Sequence, residues 1–210
     1  MISAKHLLFV FAALIFSLGS TAAETNAGAA QLSAVYDGLH VEQLWLAGHK
    51  VNWKTGEAIS NKTGKTHCSA FVAAACMKLG IYILRPPEHP ADMLANAQMH
   101  WLGEHGGEHG WKSVATPAEA QALANSGVIV VVVYENPDPK KSGHIALVRP
   151  SEKSAAEIEA DGPQVIQAGS NNHESCSVRE GFRHHKAWND AHDFTVRFYA
   201  NKNIRDCDLH

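Results

Sequence analysis

The run at positions 128–134, Val-Ile-Val-Val-Val-Val-Tyr, constrains the fold more than any other part of the chain. Six of its seven residues are β-branched, a composition that suits a pleated, buried surface and loses rotamer freedom in a helix. It is far too short to cross a bilayer, which needs about 20 apolar residues as a helix. The run therefore predicts a buried strand. A turn-rich stretch at 136–143 follows, and His144 to Val148 resumes as a strand, which together make a hairpin with a long loop. A third strand is expected at 165–168. A fourth is expected at 194–200, where Thr195, Arg197 and Tyr199 alternate with Val196 and Phe198.

Ahead of this extended half the pattern is helical. Leu32, Val35, Tyr36 and Leu39 recur at three- and four-residue steps, and an Ala-rich segment at 67–79 can be capped by Thr66 and stopped by Gly80. Residues 91–102 predict a further helix. Pro117 to Asn125 predicts another, with Pro in its first turn and Gly127 just past its end. Helices first and antiparallel strands second imply an α+β domain. Residues 50–66 and the charged stretch 151–163 read as surface excursions, and residues 24–30 as an unstructured lead-in.

The first 23 residues are set apart from this domain. Lys5, the apolar run 7–18 and the small residues 19–23 have the three-part layout of a secretory signal peptide. Residues 24–210 are then long enough for one domain with a core of its own. The formal net charge is −3 for the whole chain, and −4 without Lys5. Such a surface does not attract nucleic acid or anionic lipid without sequence selectivity, which places both low among expected partners. No later apolar run can span a membrane, and no cysteine directly follows the leader to carry a lipid. The expectation is a secreted or periplasmic protein, in a compartment that permits disulfides.

Two positions stand out for chemistry. Cys68 falls in the first turn of its predicted helix, where the positive end of the helix dipole favours a thiolate. His144 begins a strand directly after Gly143, at the edge of a sheet where an imidazole can face a cleft and serve as base. A third group normally orients such an imidazole. Gln167 is the first choice, because it alternates with Val165 and is the only amide in that extended run; Asn171 and Asn172 follow closely.

These residues resemble a known family. His67-Cys68-Ser69-Ala70-Phe71-Val72 is similar to the nucleophile motif of NlpC/P60 cysteine peptidases, commonly Asp-Cys-Ser-Gly-Phe-Val. Gly143-His144-Ile145-Ala146-Leu147-Val148 resembles the histidine motif of NlpC/P60 and CHAP domains. The resemblance covers Thr66 to Asn172, about half of the chain beyond the leader, and departs from the motif at His67 and Ala70. It implies a papain-like fold, with the Cys-bearing helix packed on an antiparallel sheet, and a single cysteine amidohydrolase-like domain over 24–210. The implied activity is cleavage of amide bonds in peptidoglycan peptides, with Cys68 as nucleophile, His144 as base, a polar residue on the next strand as third member, and no metal or cofactor.

The remaining cysteines and histidines carry other expectations. Cys76 lies two turns beyond Cys68 and reads as a buried apolar group. Cys176 and Cys207, 31 positions apart, are the better disulfide pair, worth about 3–4 kcal/mol by chain entropy, although Cys76 could pair with either. His100, His105 and His109, with Glu104 and Glu108, sit in and around the glycine-rich stretch 103–110. They support an alternative, a non-catalytic wall-binding or metal-sequestering protein, but lack the rigid spacing of a helical metal motif. Trp101 and Trp111 flank this stretch as candidates for a sugar or peptide groove, or for the core.

Overall fold

A computed structural model describes residues 18–60, 65–188 and 195–202. The elements, in chain order, are α1 (Leu18–Asp37), β1 (Lys50–Val51), β2 (Ala58–Ser60), α2 (Cys68–Lys78), α3 (Leu94–Glu104), a 3-10 turn (Gly106–His109), β3 (Trp111–Val114), α4 (Pro117–Asn125), β4 (Ile129–Tyr134), β5 (His144–Val148), α5 (Ala155–Asp161), β6 (Gln164–Gln167), β7 (His173–Ser177), α6 (Val178–Gly181), a second 3-10 turn (Arg183–His185) and β8 (Arg197–Asn201). The domain is α+β. Its main sheet has six antiparallel strands in the order β3-β8-β4-β5-β6-β7.

The β-branched run forms the centre of that sheet because both of its faces are covered. Ile129, Val131 and Val133 of β4 join Ile145, Leu147 and Ile166 in a core shared with Phe71 of α2 and Tyr36 of α1. Val130, Val132 and Tyr134 point the other way, into a second core with Ala120 and Ala124 of α4 and Phe182 and Trp188. Period-two alternation therefore sends apolar groups to both sides, and a strand so placed has no polar face to show. No described helix is long and apolar enough to cross a membrane.

Several segments differ from the pattern-based expectation. Residues 24–30 are helical rather than unstructured, since α1 runs from Leu18 to Asp37. Alanine is the best helix former, and the helix gains a tertiary anchor where Gly28 meets the Ser126–Gly127 backbone at the end of α4. At Gly127, with φ +83°, an added Cβ would lie 2.4 Å from Gly28 C, so the approach of these two segments depends on glycine. Residues 1–17 of the expected leader lie outside the described residues.

The 50–66 excursion contains the β1–β2 hairpin, and 151–163 contains α5. Helix α5 opens on a capping box, with the Ser154 hydroxyl accepting from Glu157 N–H and the Glu157 carboxylate accepting from Ser154 N–H. The third predicted helix starts three residues late, after Met93 at φ 58°. Thr66 does not cap α2. His67 occupies the N-cap position without a capping side-chain bond, because its Nε2 is turned to His49 O at 2.8 Å. The edge strands β3 and β7 have no counterpart in the sequence reading. The fourth strand begins at Arg197, and Phe194 lies outside the described residues.

Candidate active site

Cys68 is the first residue of α2, and α2 packs on β5. The first helical amide taken up inside the helix is Phe71 N–H, by His67 O at 2.9 Å, so the amides of residues 68–70 precede the i to i−4 ladder. The Cys68 and Ser69 amides both favour a negative sulfur, and so does Ile145 N–H from β5. The thiol therefore lies against the backbone of the residue that follows His144. Burial is nonetheless the dominant influence and pushes the Cys68 thiol above its ordinary range.

His144 opens β5 opposite Tyr134. The strand can begin there only because residue 143 is glycine: a Cβ at that position would lie 2.1 Å from Tyr134 O and 2.4 Å from Asn96 Oδ1. Both neighbours are fixed, one being backbone and the other bonded to Asn136 N–H. Gly143→Ala is therefore expected to cost about 3 kcal/mol and to displace the imidazole; denaturant unfolding measures the first, and loss of the His144–His185 ring contact by NMR the second.

The imidazole is held on several sides. Gln167 Oε1 lies 2.5 Å from His144 Nε2, Phe182 meets the ring edge-on at a centroid distance of 4.6 Å, and His185 stacks on it at 5.6 Å. The Gln167 amide cannot turn without loss, because its Nε2–H donates to Asn171 O at 3.0 Å. Its oxygen must then face His144, and an oxygen can only accept. Hence Nε2 carries the imidazole proton and Nδ1 keeps the free lone pair. Burial above all, then neighbouring His185, lowers the His144 pKa to about 4; the bond to Gln167 opposes this and His184 adds to it. Near neutrality the resting pair is a thiol and a neutral imidazole.

Cys68, His144 and Gln167 are 6 %, 5 % and 4 % exposed. The structure brings His144 and Gln167 together, but Cys68 meets only the backbone of Ile145, no hydrogen bond joins the sulfur to His144, and Cys68 does not border the cleft beside the imidazole. Pleating explains the offset. His144 shares a face with Ala146 and Val148, on the side of Phe182, whereas Ile145 and Leu147 face α2. Next to His144 opens a cleft of about 160 Å³, bordered by Thr66 from the approach to α2, by Gly143, and by residues after β6 and α6.

The alternative amides have other duties. Asn172 donates to Val41 O and Leu44 O at 2.6 and 2.9 Å and accepts from Gly169 N–H at 2.9 Å, which ties the turn after β6 to the segment after α1. Asn171 contributes its backbone oxygen to Gln167. Phe182 and His185 were not singled out from sequence; the short helix and turn that present them carry no strong local pattern.

The histidines of the glycine-rich stretch part company. His100 bonds Glu135 at 2.6 Å, His105 faces Glu108 at 3.8 Å, and His109 lies against Tyr82 and Trp101 at 4.8 and 5.1 Å. Among the described residues no group of three or more His, Cys, Asp or Glu side chains is placed to hold a metal ion. Trp111 belongs to the core, with its indole N–H donated to Tyr82 O at 2.7 Å. Cys76 is fully buried, as expected, and is a free thiol; so is Cys176, while its expected partner Cys207 lies outside the described residues. Of the family models and curated proteins compared with this chain, none matches it.

Proposed function

We propose that this protein is an exported cysteine hydrolase of papain-like arrangement that cleaves amide bonds in peptidoglycan peptides. The observation that carries the reading is the relay from Asn171 O through the Gln167 amide to His144 Nε2, which leaves Nδ1 free to act as a base, one residue along β5 from the backbone that the Cys68 thiol meets. The leader-like first 23 residues support delivery to the compartment that holds the wall. In the reaction, Cys68 Sγ attacks the amide carbon as its proton passes to His144 Nδ1. The sulfur and the imidazole start on opposite faces of β5 and come together at the start of that strand as substrate binds, since catalytic hydrogen bonds are often open in the free enzyme.

The carbonyl oxygen becomes an oxyanion, for which the amides at the start of α2 are the donors. The imidazolium gives its proton to the leaving nitrogen and the C–N bond breaks. Water then attacks the thioester; His144 takes one of its protons and returns it to the departing sulfur as the acid is released. Gln167 holds the tautomer throughout without adding charge.

The test is mass spectrometry of purified wall fragments incubated with the protein. Each cut should yield one new amine and one new carboxyl, the two products together exceeding the substrate by the mass of one water, and intact fragments after incubation would remove the proposal. Gln167→Ala is expected to lower kcat about 10²-fold with a smaller change in KM, because the imidazole loses the partner that orients it. Steady-state kinetics on one purified fragment measures both constants.

A further inference from the structure

The turn between β6 and β7, residues 168–172, lies against the bond that fixes the imidazole. A Cβ at Gly169 would sit 3.1 Å from Gln167 Oε1 and 3.5 Å from His144 Cε1, so the Gly169 backbone packs on both partners of that bond. Asn171 O, from the same turn, accepts the Gln167 Nε2 proton. Among the described residues no hydrogen bond between backbone groups forms inside 168–172, which leaves the shape of the turn to side chains. Asn172 supplies the hold. Its Oδ1 accepts from Gly169 N–H, and its Nδ2 donates to both Val41 O and Leu44 O. A carbonyl only accepts and an N–H only donates, so both ends of this amide are assigned. The far anchor is firm, because Leu39, Val41 and Trp45 are buried in the core and His40 O accepts from both Gln43 N–H and Leu44 N–H.

We infer that Asn172 is a positioning residue for the imidazole. It holds the 168–172 turn, the turn holds the Gln167 amide, and that amide keeps the proton on His144 Nε2. The kinetic consequence rests on the hydrolase reading, whereas the consequence for the tautomer does not. Without Asn172, Gly169 and Asn171 O lose their tie to the segment after α1, and the Gln167 amide is free to turn its Nε2–H toward the ring. An N–H must meet a lone pair, so the ring proton then moves to Nδ1 and the free lone pair there is lost. A merely structural tie is the competing explanation, and Gln121 provides its control. That buried amide also makes three bonds, to Asn125 Oδ1, Arg149 O and Gln164 N–H, at the end of β6 away from His144.

The experiment is ring-nitrogen NMR of histidine-labelled protein near neutral pH, with denaturant melts of the same samples. Wild-type protein should show His144 protonated at Nε2. Asn172→Ala should move it to the Nδ1 form or to a mixture of the two, whereas Gln121→Ala should lose stability and keep the wild-type His144 signals. Asn172→Asp retains an acceptor for Gly169 N–H and removes both donors, and it gives the same reading where the alanine variant does not fold. On a purified wall fragment, Asn172→Ala should lower kcat about tenfold with little change in KM. A wild-type tautomer in a folded Asn172 variant, or the same change of tautomer in Gln121→Ala, would overturn the positioning role and leave the hydrolase reading standing. If neither Asn172 variant folds, the residue holds the fold and not the ring, and the inference falls. A changed tautomer in a protein whose wild type leaves wall fragments intact sustains the positioning role and removes the hydrolase.

Discussion

Cys68→Ala is expected to lower hydrolysis of wall peptides by at least about 10⁴-fold, the scale set by removing a nucleophile from a concerted catalytic unit. The same change should be mild for the fold. Cys68 is buried at the first position of α2, where alanine is a good helical residue, and deleting one sulfur leaves a void that costs about 1 kcal/mol. Circular dichroism and a denaturant melt should therefore be close to wild type while product formation disappears. Cys68→Ser sharpens the comparison, because the hydroxyl keeps an acceptor for Ile145 N–H but is a weaker nucleophile at neutral pH. It too should be inactive. Turnover in either variant at the wild-type rate would show that this thiol forms no acyl intermediate.

Alkylation gives an independent reading of the same site. A buried thiol whose pKa is raised presents little thiolate, so iodoacetamide should modify Cys68 slowly in the native protein. Cys76 and Cys176 are also buried, with burial lifting the former beyond the usual thiol range and the latter to about 12.

The parts of the fold legible in the sequence are those whose signals are local. Pro117 to Asn125 begins and ends where Pro117 and Gly127 place it, and the structure adds an N-cap, the Thr116 hydroxyl accepting from Glu119 N–H. His144 to Val148 is bounded by a glycine that cannot be replaced and by Pro150. The edge strands were hidden for the opposite reason. Trp-Lys-Ser-Val in β3 and His-Glu-Ser-Cys-Ser in β7 lack apolar alternation, and each is recruited by pairing with a single neighbour, β8 or β6. In the candidate site the pairing of His144 with Gln167 was legible because both lie at ends of adjacent apolar strands. The ring of Phe182 and the stacked His185 were not. They depend on the turn after α6 folding back over β5 and β6, a tertiary event with no periodicity to announce it.

His144 makes a second large prediction, in pH. Its folded pKa is about 4, against 6.5 for an unperturbed histidine, because burial and the neighbouring His185 both disfavour the charged ring. Between those values the unfolded chain binds a proton that the folded protein refuses, so stability rises with pH across the window. It is fully present above pH 6.5 and falls as pH drops toward 4, by up to about 3 kcal/mol from this group. His185, also lowered by burial, adds to the loss in the same direction. Denaturant melts at pH 7 and at pH 4.5 measure the difference, and His144→Asn, which cannot titrate, should flatten most of it. Activity should follow a different rule. A base that stays neutral down to about pH 4 keeps its lone pair there, so the acid limb of kcat/KM should fall near pH 4 and not near 6.5. An acid limb at 6.5 would mean that the imidazole titrates as an exposed one does, and that burial and the neighbouring His185 do not lower it.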